Sequence, residues 1–130
     1  MNEFTIEGKA IPKQRPRKGK HGKFYTPKKT KDFEQKVQWS YLSCRHRTFF
    51  AAEPLKATIE INLKKPKYSK KDYPTTRSDL DNQIKSILDG LNGLAYTDDK
   101  QIIEISALRK FADRDFIKVK LEKIETEEAS

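Results

Sequence analysis

Four aspartates in the second half of the chain form two pairs whose spacing suits metal binding. Asp79 and Asp81 stand two residues apart where a helix is predicted to begin, and Asp98 and Asp99 are adjacent beyond its end. Magnesium prefers oxygen ligands and usually keeps several waters, so a few carboxylates are enough to hold it. A bound magnesium ion activates water and offsets the negative charge that develops during phosphodiester hydrolysis. The aspartates therefore indicate a candidate site for metal-assisted hydrolysis of phosphodiesters.

The first pair can share one ion only in a particular backbone arrangement. Residues two apart in a regular helix point about 200° away from each other, so Asp79 must still be extended while Asp81 lies in the first turn. Lys85 follows Asp81 by four residues on the same helical face, where its charge can stabilise the transition state or the leaving oxygen. Asp98 and Asp99 come back to this helix only if the next strand runs antiparallel beside it.

The same residues also allow a purely structural interpretation. Acids at a helix N-terminus interact favourably with the helix dipole, and Asp98 and Asp99 are common turn residues. Asp81, Lys85 and Asp89 are also spaced for an ordinary salt-bridge ladder along one helix face. Spacing alone leaves both interpretations open, and two basic loops elsewhere in the chain favour the catalytic one.

The charge of the chain favours a polyanionic partner. Its 130 residues carry a formal net charge of +9, so nucleic acid is the first candidate and an acidic membrane the second. No stretch approaches the roughly 20 apolar residues of a membrane span, and the polar start has no signal-peptide segment, so we expect a cytoplasmic protein without membrane contact. One cysteine and two histidines exclude an internal disulfide and are too few for a structural zinc site.

Two basic segments are the candidate phosphate contacts. Residues 9–31 contain ten Lys or Arg and no acid, and residues 64–77 form a second basic loop. Lys13, Arg15 and Arg17 alternate in an extended run, so their side chains can follow the phosphates of one strand, which Arg binds bidentately. The predicted DNA contacts are Lys13, Arg15, Arg17, Lys18, Lys20, Lys23 and Arg77.

Three aromatic residues in these segments have two interpretations. Phe24, Tyr25 and Tyr68 can stack on an unpaired base. For Phe24 and Tyr25 the sequence favours packing in the core or at a sheet edge.

The basic run at residues 9–31 also has a structural interpretation, because a run of charges is often only a solvated face. Ten basic residues without a compensating acid nevertheless favour nucleic acid.

Hydrophobic periodicity predicts a single α+β domain of two helices packed on a mixed sheet. The predicted order is a strand at residues 3–8, a basic hairpin ending in Phe24 and Tyr25, a helix at 31–47 capped by Thr30, a strand at 55–63, a helix from Ser78 to Gly93, and strands at 103–107 and 117–121. The domain should cover residues 1–124, and the acidic tail at 125–130 should be disordered. So polar a chain should have a thin core, which favours burial of an apolar face between two subunits.

Two runs of the chain resemble a known family. The run RSDLDNQIKSILDGLNGLAYTDDKQI, Arg77 to Ile102, is similar to the signature of the RusA-type Holliday junction resolvases, crossover junction endodeoxyribonucleases of bacteria and their phages. The run IPKQRPR, Ile11 to Arg17, resembles the basic N-terminal segment of that family. The two runs stand in the order of the family, and the resemblance covers nearly the whole chain.

The resemblance implies a magnesium-dependent endonuclease, with manganese as a possible substitute and no small-molecule cofactor. It makes Asp79, Asp81 and Asp99 the metal-binding acids and Lys85 the catalytic lysine, with Asp98 as an adjacent acid and further candidate ligand. It further implies a homodimer, host or prophage encoded, that resolves four-way junctions by paired symmetric nicks in DNA recombination and repair.

Two other functions remain open from the sequence. One is a non-catalytic, architectural DNA-binding protein, and the other is a metal-dependent nuclease that acts on RNA or single strands. A pure DNA-binding protein has no reason to place Asp79, Asp81 and Asp99 against the phosphate path, where they repel DNA unless a cation intervenes. Phosphate contacts do not report the sugar, so composition does not separate DNA from RNA.

Overall fold

The computed structural model describes residues 2–14, 17–20, 22–25, 27–44, 50–75 and 79–125. Its elements within these ranges are β1 (Asn2–Glu7), β2 (Arg17–Lys18), β3 (Phe24–Tyr25), α1 (Lys28–Ser43), β4 (Leu55–Lys64), α2 (Leu80–Leu91), a 3-10 helix (Asp99–Gln101), β5 (Ile102–Ala112) and β6 (Phe116–Lys123). Neither of the α-helices so described is long and apolar enough to cross a membrane.

The main sheet is mixed, as predicted. In the described part of the chain its strand order is β1-β6-β4-β5, and β2 and β3 form a separate two-stranded hairpin. Strand β4 pairs antiparallel with β6 and parallel with β5, and β1 pairs antiparallel with β6. The parallel pair needs a crossover, which α2 provides. The predicted α+β class with two helices on one mixed sheet is therefore confirmed.

The core lies between one face of this sheet and the two helices. Alternate residues of β4, from Leu55 to Ile61, are buried against Phe33, Val37 and Tyr41 of α1 and apolar residues of α2. A Cβ on Gly90 would stand 3.2 Å from the Cβ of Val37, so the glycine lets the two helices approach closely. The helix that carries the acids is thus held on the sheet by both the core and α1.

Helix α1 begins earlier than its sequence indicates. Pro27 occupies the N-cap position with an extended backbone, φ −55° and ψ 144°, and Lys28 is the first helical residue. Thr30, the predicted cap, is instead fully buried within the first turn, where its Oγ1 accepts a hydrogen bond from the backbone N–H of Gln14 at 3.3 Å. The capping prediction is therefore wrong, and the helix ends at Ser43 instead of continuing to Arg47, which lies outside the described residues.

Helix α2 and the strand after it agree with the sequence in part. The N-cap is Asp79, whereas the predicted cap Ser78 lies outside the described residues. Gly93 follows the C-cap with a φ of +79°, as the sequence predicts. Strand β5 is an edge strand, so Ile103 and Ile105 remain 66% and 48% exposed despite their alternating pattern. Of the predicted tail, residues 126–130 lie outside the described residues.

Candidate active site

The start of α2 has the backbone arrangement that the first acid pair requires. Asp79 is extended, with φ −57° and ψ 132°, and its carboxylate forms no capping hydrogen bond with the helix. Asp81 lies in the first turn, where one of its oxygens accepts the N–H of Asn82 at 2.9 Å. The Asp79 carboxylate is therefore not used to cap the helix, and both acids lie at the positive end of the helix dipole.

A tight turn brings the second acid pair back toward α2. After Leu91, Ala95 donates its N–H to the Leu91 carbonyl at 2.9 Å, and Gly93 donates to the carbonyl of Tyr96 at 2.8 Å. Tyr96 is fully buried, and its hydroxyl donates to the carbonyl oxygen of Leu88 in α2. The turn therefore places the following residues beside the helix, and β5, which is parallel to β4, then runs antiparallel to α2 as expected.

The two acids after this turn have different surroundings. Asp98 caps the short 3-10 helix: its carboxylate accepts the N–H of Lys100 at 2.9 Å, and its own N–H donates to Gln101 at 3.0 Å. Gln101 in turn donates to the carbonyl of Phe50 at 2.9 Å, which anchors the 3-10 helix to the loop before β4. Asp98 thus has a structural task, whereas Asp99 faces the space next to α2.

An open cleft of about 350 Å³ lies between α2 and the beginning of β5. It is lined by Asp81, Ile84, Lys85, Leu88, Asp89, Asp99, Ile102 and Ile105. The cleft brings together Asp81, Lys85 and Asp99, three of the residues predicted to be catalytic. Asp79, immediately before α2, and Asp98 do not line it. Apart from Asp89, the remaining walls are apolar side chains.

Asp89 also lines the cleft, although the sequence indicated for it only a place in a salt-bridge ladder along α2. Its Oδ2 lies 3.2 Å from the Nζ of Lys13, which also contacts Oε1 of Glu34 at 2.7 Å. The ion pairs of the described residues do not include Lys85, so the ladder Asp81, Lys85 and Asp89 is not formed. The sequence signal for Asp89 was its helical spacing from Asp81, which puts both on one face.

Lys13 was predicted to contact DNA, but it is paired within the fold. Its side chain is only 23% exposed and lies between the two carboxylates of Glu34 and Asp89. The pKa of Lys13 is raised: burial opposes its charge, but the hydrogen bonds and charges of Glu34 and Asp89 outweigh that effect. Its charge is therefore already matched before any phosphate approaches.

The adjacent acids Asp98 and Asp99 have pKa values shifted in opposite directions. The pKa of Asp98 is lowered, mainly because its carboxylate accepts the N–H of Lys100, and further by a hydrogen bond with Asp99. The pKa of Asp99 is raised by that same hydrogen bond, then by burial and by the charges of Asp98 and Asp89. Asp99 therefore holds its proton more tightly than an isolated aspartate, and a cation in the cleft would favour its charged form.

The predicted DNA contacts lie mainly on the β2–β3 hairpin. Lys18, Lys20 and Lys23 are exposed there. Arg15 and Arg77 lie outside the described residues, and for Arg17 only the backbone is described. Phe24 and Tyr25 are 73% and 51% exposed, so of the two packing sites predicted for them the core is wrong, and they lie on an edge strand of the two-stranded hairpin. Tyr68 is 87% exposed. These aromatic side chains are open to solvent beside basic residues.

The donor set fits a hard divalent cation. Among the described residues, no group of three His, Cys, Asp or Glu side chains is already arranged around one point as a complete metal site. Magnesium does not need such a group, because one or two carboxylates and several waters usually suffice. Asp81 and Asp99 offer oxygen atoms in the cleft, and the uncapped carboxylate of Asp79 precedes them.

Comparison with known proteins assigns the chain to a family. Residues 7–122 match the family described as Endodeoxyribonuclease RusA. A protein of Bacillus subtilis (strain 168), named Uncharacterized protein YqaN, is 26% identical over 136 residues, an alignment that covers 94% of this chain and 96% of that protein. The class of protein is thus a DNA-cleaving enzyme. The chain belongs to the RusA endodeoxyribonuclease family.

Proposed function

We propose that this protein is a magnesium-dependent endonuclease that resolves four-way DNA junctions by paired symmetric nicks in recombination and repair. The observation that carries the proposal is the cleft that holds Asp81, Lys85 and Asp99 in a domain of the RusA family with a net charge of +9. Carboxylates beside the path of the DNA phosphates repel them unless a cation lies between the two.

The carboxylates of Asp79, Asp81 and Asp99 are the proposed ligands of the cation, with Asp98 as an additional candidate. When bound, magnesium supplies charge neutralisation and an acidified water, and manganese can supply the same chemistry. The chain itself provides the oxygen ligands, two of them, Asp81 and Asp99, in the wall of the cleft. Asp98 contributes chiefly by capping the 3-10 helix, which orients the neighbouring Asp99.

Lys85 is the proposed catalytic cation of the chain. It lines the cleft with Asp81 and Asp99, and it is not among the ion pairs of the described residues. Its ammonium group is therefore available to the phosphate, where it stabilises the charge that develops on the oxygens in the transition state. Apolar side chains, including Ile84 and Leu88, line the cleft beside it.

The β2–β3 hairpin is the proposed DNA-binding element. Its exposed lysines and the predicted Arg15, Arg17 and Arg77 contact phosphates and so position the duplex without reading its sequence. The exposed Phe24 and Tyr68 suit stacking on bases that are unpaired at the crossover. Preference for a junction then comes from the shape and deformability of the DNA.

A homodimer is the proposed working form. In the described sheet β5 is an edge strand of 11 residues, and Ile103 and Leu108 on it are 66% and 49% exposed. An edge with apolar side chains is suited to pairing with a second copy of itself. Because Ile102 and Ile105 of β5 also line the cleft, such pairing would bring the two clefts of a dimer near one another. Two opposed strands could then be cut in one complex.

The test of this function is incubation with three labelled substrates: a mobile four-way junction, a matching duplex and a single strand. Each is incubated with and without magnesium. We expect rapid nicking of the junction with magnesium, much weaker cleavage of the other two, and no cleavage without it. Binding without cutting under all conditions would favour a non-catalytic, architectural DNA-binding protein. Preferred cleavage of the single strand or of its RNA counterpart would favour a metal-dependent nuclease that acts on RNA or single strands.

A further inference from the structure

Four polar side chains of the described residues are almost fully buried: Thr30, Asn62, Gln83 and Ser86. A buried polar group is costly unless it forms a hydrogen bond. Three of the four, all except Asn62, bond to the backbone of one short segment, residues 10–14, which belongs to no helix or strand. We call residues 10–14 the strap.

The strap is bound chiefly to α2. The Ser86 hydroxyl donates to the carbonyl of Ile11 at 2.5 Å, and the Gln83 amide donates to the carbonyl of Ala10 at 3.4 Å. In the opposite direction, the backbone N–H of Lys13 donates to the carbonyl of Asn82 at 2.9 Å. The strap therefore lies along the same helix whose exposed face carries Asp81 and Lys85.

Ionic contacts lock the far end of the strap. Lys13 spans Glu34 of α1 and Asp89 of α2, and Asp89 is itself a wall of the cleft. Thr30 of α1 accepts the N–H of Gln14 one residue later. These contacts come from two helices and act on adjacent strap residues, so the position at which the chain reaches residue 14 is held from two sides.

The basic hairpin begins directly after the strap. Only two residues separate Gln14 from Arg17 at the start of β2. Three steps of extended chain span roughly 11 Å at most, so the hairpin cannot move far from the point at which the strap ends. The position of the lysines on the hairpin is therefore linked to α2 through the strap.

We propose that the strap sets the distance and orientation between the DNA-binding hairpin and the cleft, with Gln83 and Ser86 as its positioning residues. This inference rests on the proposed function, because it assumes that the hairpin holds DNA and that the cleft cuts it. Phosphate contacts on the hairpin determine where the DNA is held. The strap keeps the hairpin at a fixed distance from the cleft, so the scissile phosphate of the bound DNA lies next to the acids. Release of the strap should therefore impair cutting more than binding.

The main variant is Ser86→Ala, and Ser40→Ala is its matched control. Ser40 makes the same kind of bond, from its hydroxyl to the carbonyl of Lys36 at 2.8 Å, but within α1 and away from the strap. A second variant, Glu34→Gln, weakens the hold on Lys13 from α1 and changes a residue that does not itself line the cleft. It keeps the proposal testable if Ser86→Ala does not fold.

Three quantities are measured for each protein: single-turnover cleavage at saturating protein, junction affinity with its salt dependence, and backbone amide exchange. For Ser86→Ala and Glu34→Gln we expect cleavage to slow by about 10- to 100-fold, with the distribution of cut positions broadened. The affinity should change by less than about twofold, because the phosphate contacts are retained. Exchange at Lys13 and Gln14 should quicken by about 2- to 10-fold, and Ser40→Ala should change none of these.

A merely structural role of these side chains would give a different result. Cleavage would then fall only in proportion to the unfolded fraction, with cut positions unchanged, and that outcome overturns the proposal. Unaltered cleavage in both variants despite faster exchange at the strap also overturns it. The wild-type reaction separates the two possible failures. If the wild-type protein cuts no DNA, the proposed function is wrong, and the role of the strap is wrong with it. If the wild-type protein cuts DNA and the variants behave as just described, only the role of the strap is wrong.

Discussion

At the scale of single residues, Asp98 and Asp99 show how neighbours divide two tasks. Asp98 is bound to the backbone of the 3-10 helix, and its charge and hydrogen bond raise the pKa of Asp99. In the protein without divalent cation, Asp99 therefore remains protonated to a higher pH than an ordinary aspartate. A group of this kind favours cation binding only after its proton has left.

We predict that Asp98→Asn lowers the pKa of Asp99 in the cation-free protein. The sign follows from the cause, because the substitution removes the neighbouring carboxylate that stabilises the protonated form of Asp99. NMR titration of the side-chain carboxyl carbons measures the shift directly. Asp72→Asn, an identical change in a distant loop, should leave the Asp99 titration unaltered. A pKa of Asp99 that stays the same or rises in Asp98→Asn would contradict this account of the pair.

At the scale of elements, the turn between α2 and the 3-10 helix determines whether Asp99 reaches the cleft. Among the described residues of this turn, Tyr96 is the one fully buried aromatic side chain, and its hydroxyl donates a hydrogen bond to the carbonyl of Leu88. We predict that Tyr96→Phe lowers the free energy of unfolding by about 1–3 kcal/mol, because the carbonyl of Leu88 loses its donor. Urea unfolding measures the loss, and cleavage should fall as well.

The control for this variant is Tyr73→Phe, which removes the same hydroxyl from a side chain that is 65% exposed. It should change neither stability nor cleavage. Equal stability of Tyr96→Phe and the wild-type protein would mean that the buried hydroxyl does not hold the turn. Loss of stability without any loss of cleavage would mean that the turn does not govern the position of Asp99.

The basic hairpin is the second element whose role can be measured. We predict that replacing Lys20 and Lys23 by Ala reduces the slope of log affinity against log salt by about two, if each contacts one phosphate. The matched control replaces Lys118 and Lys120 by Ala, which removes the same charge from β6. If both double variants change the slope equally, net charge and not the hairpin governs DNA binding.

The elements also show what the sequence could and could not predict. Helix α2 and strand β4 were predicted correctly, because each buries one regular face and so has a clear period. The start of α1 was misplaced because Thr30 has the residue type of a cap but is used by Gln14, a contact between segments distant in the chain. The parallel pairing of β4 and β5 is indicated only by the strand–helix–strand order, because no residue within either strand specifies its partner.

The candidate site was predictable to a similar degree. The types and spacing of Asp81 and Lys85 indicated one helical face, and both residues line the cleft. The part played by Asp89 could not be found in this way, because its partner Lys13 comes from the other end of the chain. For the same reason the sequence presented Lys13 as one more free cation. Contacts between distant segments decided these assignments.

At the scale of the whole molecule, the free edge of β5 is the proposed contact between subunits. We predict that wild-type protein is a dimer by light scattering and that Leu108→Arg shifts it toward the monomer, because a charge enters an apolar interface. Trp39→Arg, which changes a 71% exposed side chain on α1, should remain dimeric. If Leu108→Arg remains a dimer of unchanged mass, the contact between subunits lies elsewhere. If a protein that stays monomeric makes paired nicks in one junction, the proposed dimer is excluded.

The most direct test of the central claim is a comparison of wild-type protein and Asp81→Asn on one four-way junction with each strand labelled. With magnesium, the wild-type protein should nick two opposed strands at symmetric positions within one complex. Asp81→Asn should bind the junction as well or better, because a negative charge leaves the phosphate path, and should cut at least about a thousandfold more slowly. Normal cleavage by Asp81→Asn with magnesium would contradict the assignment of the cleft as the active site.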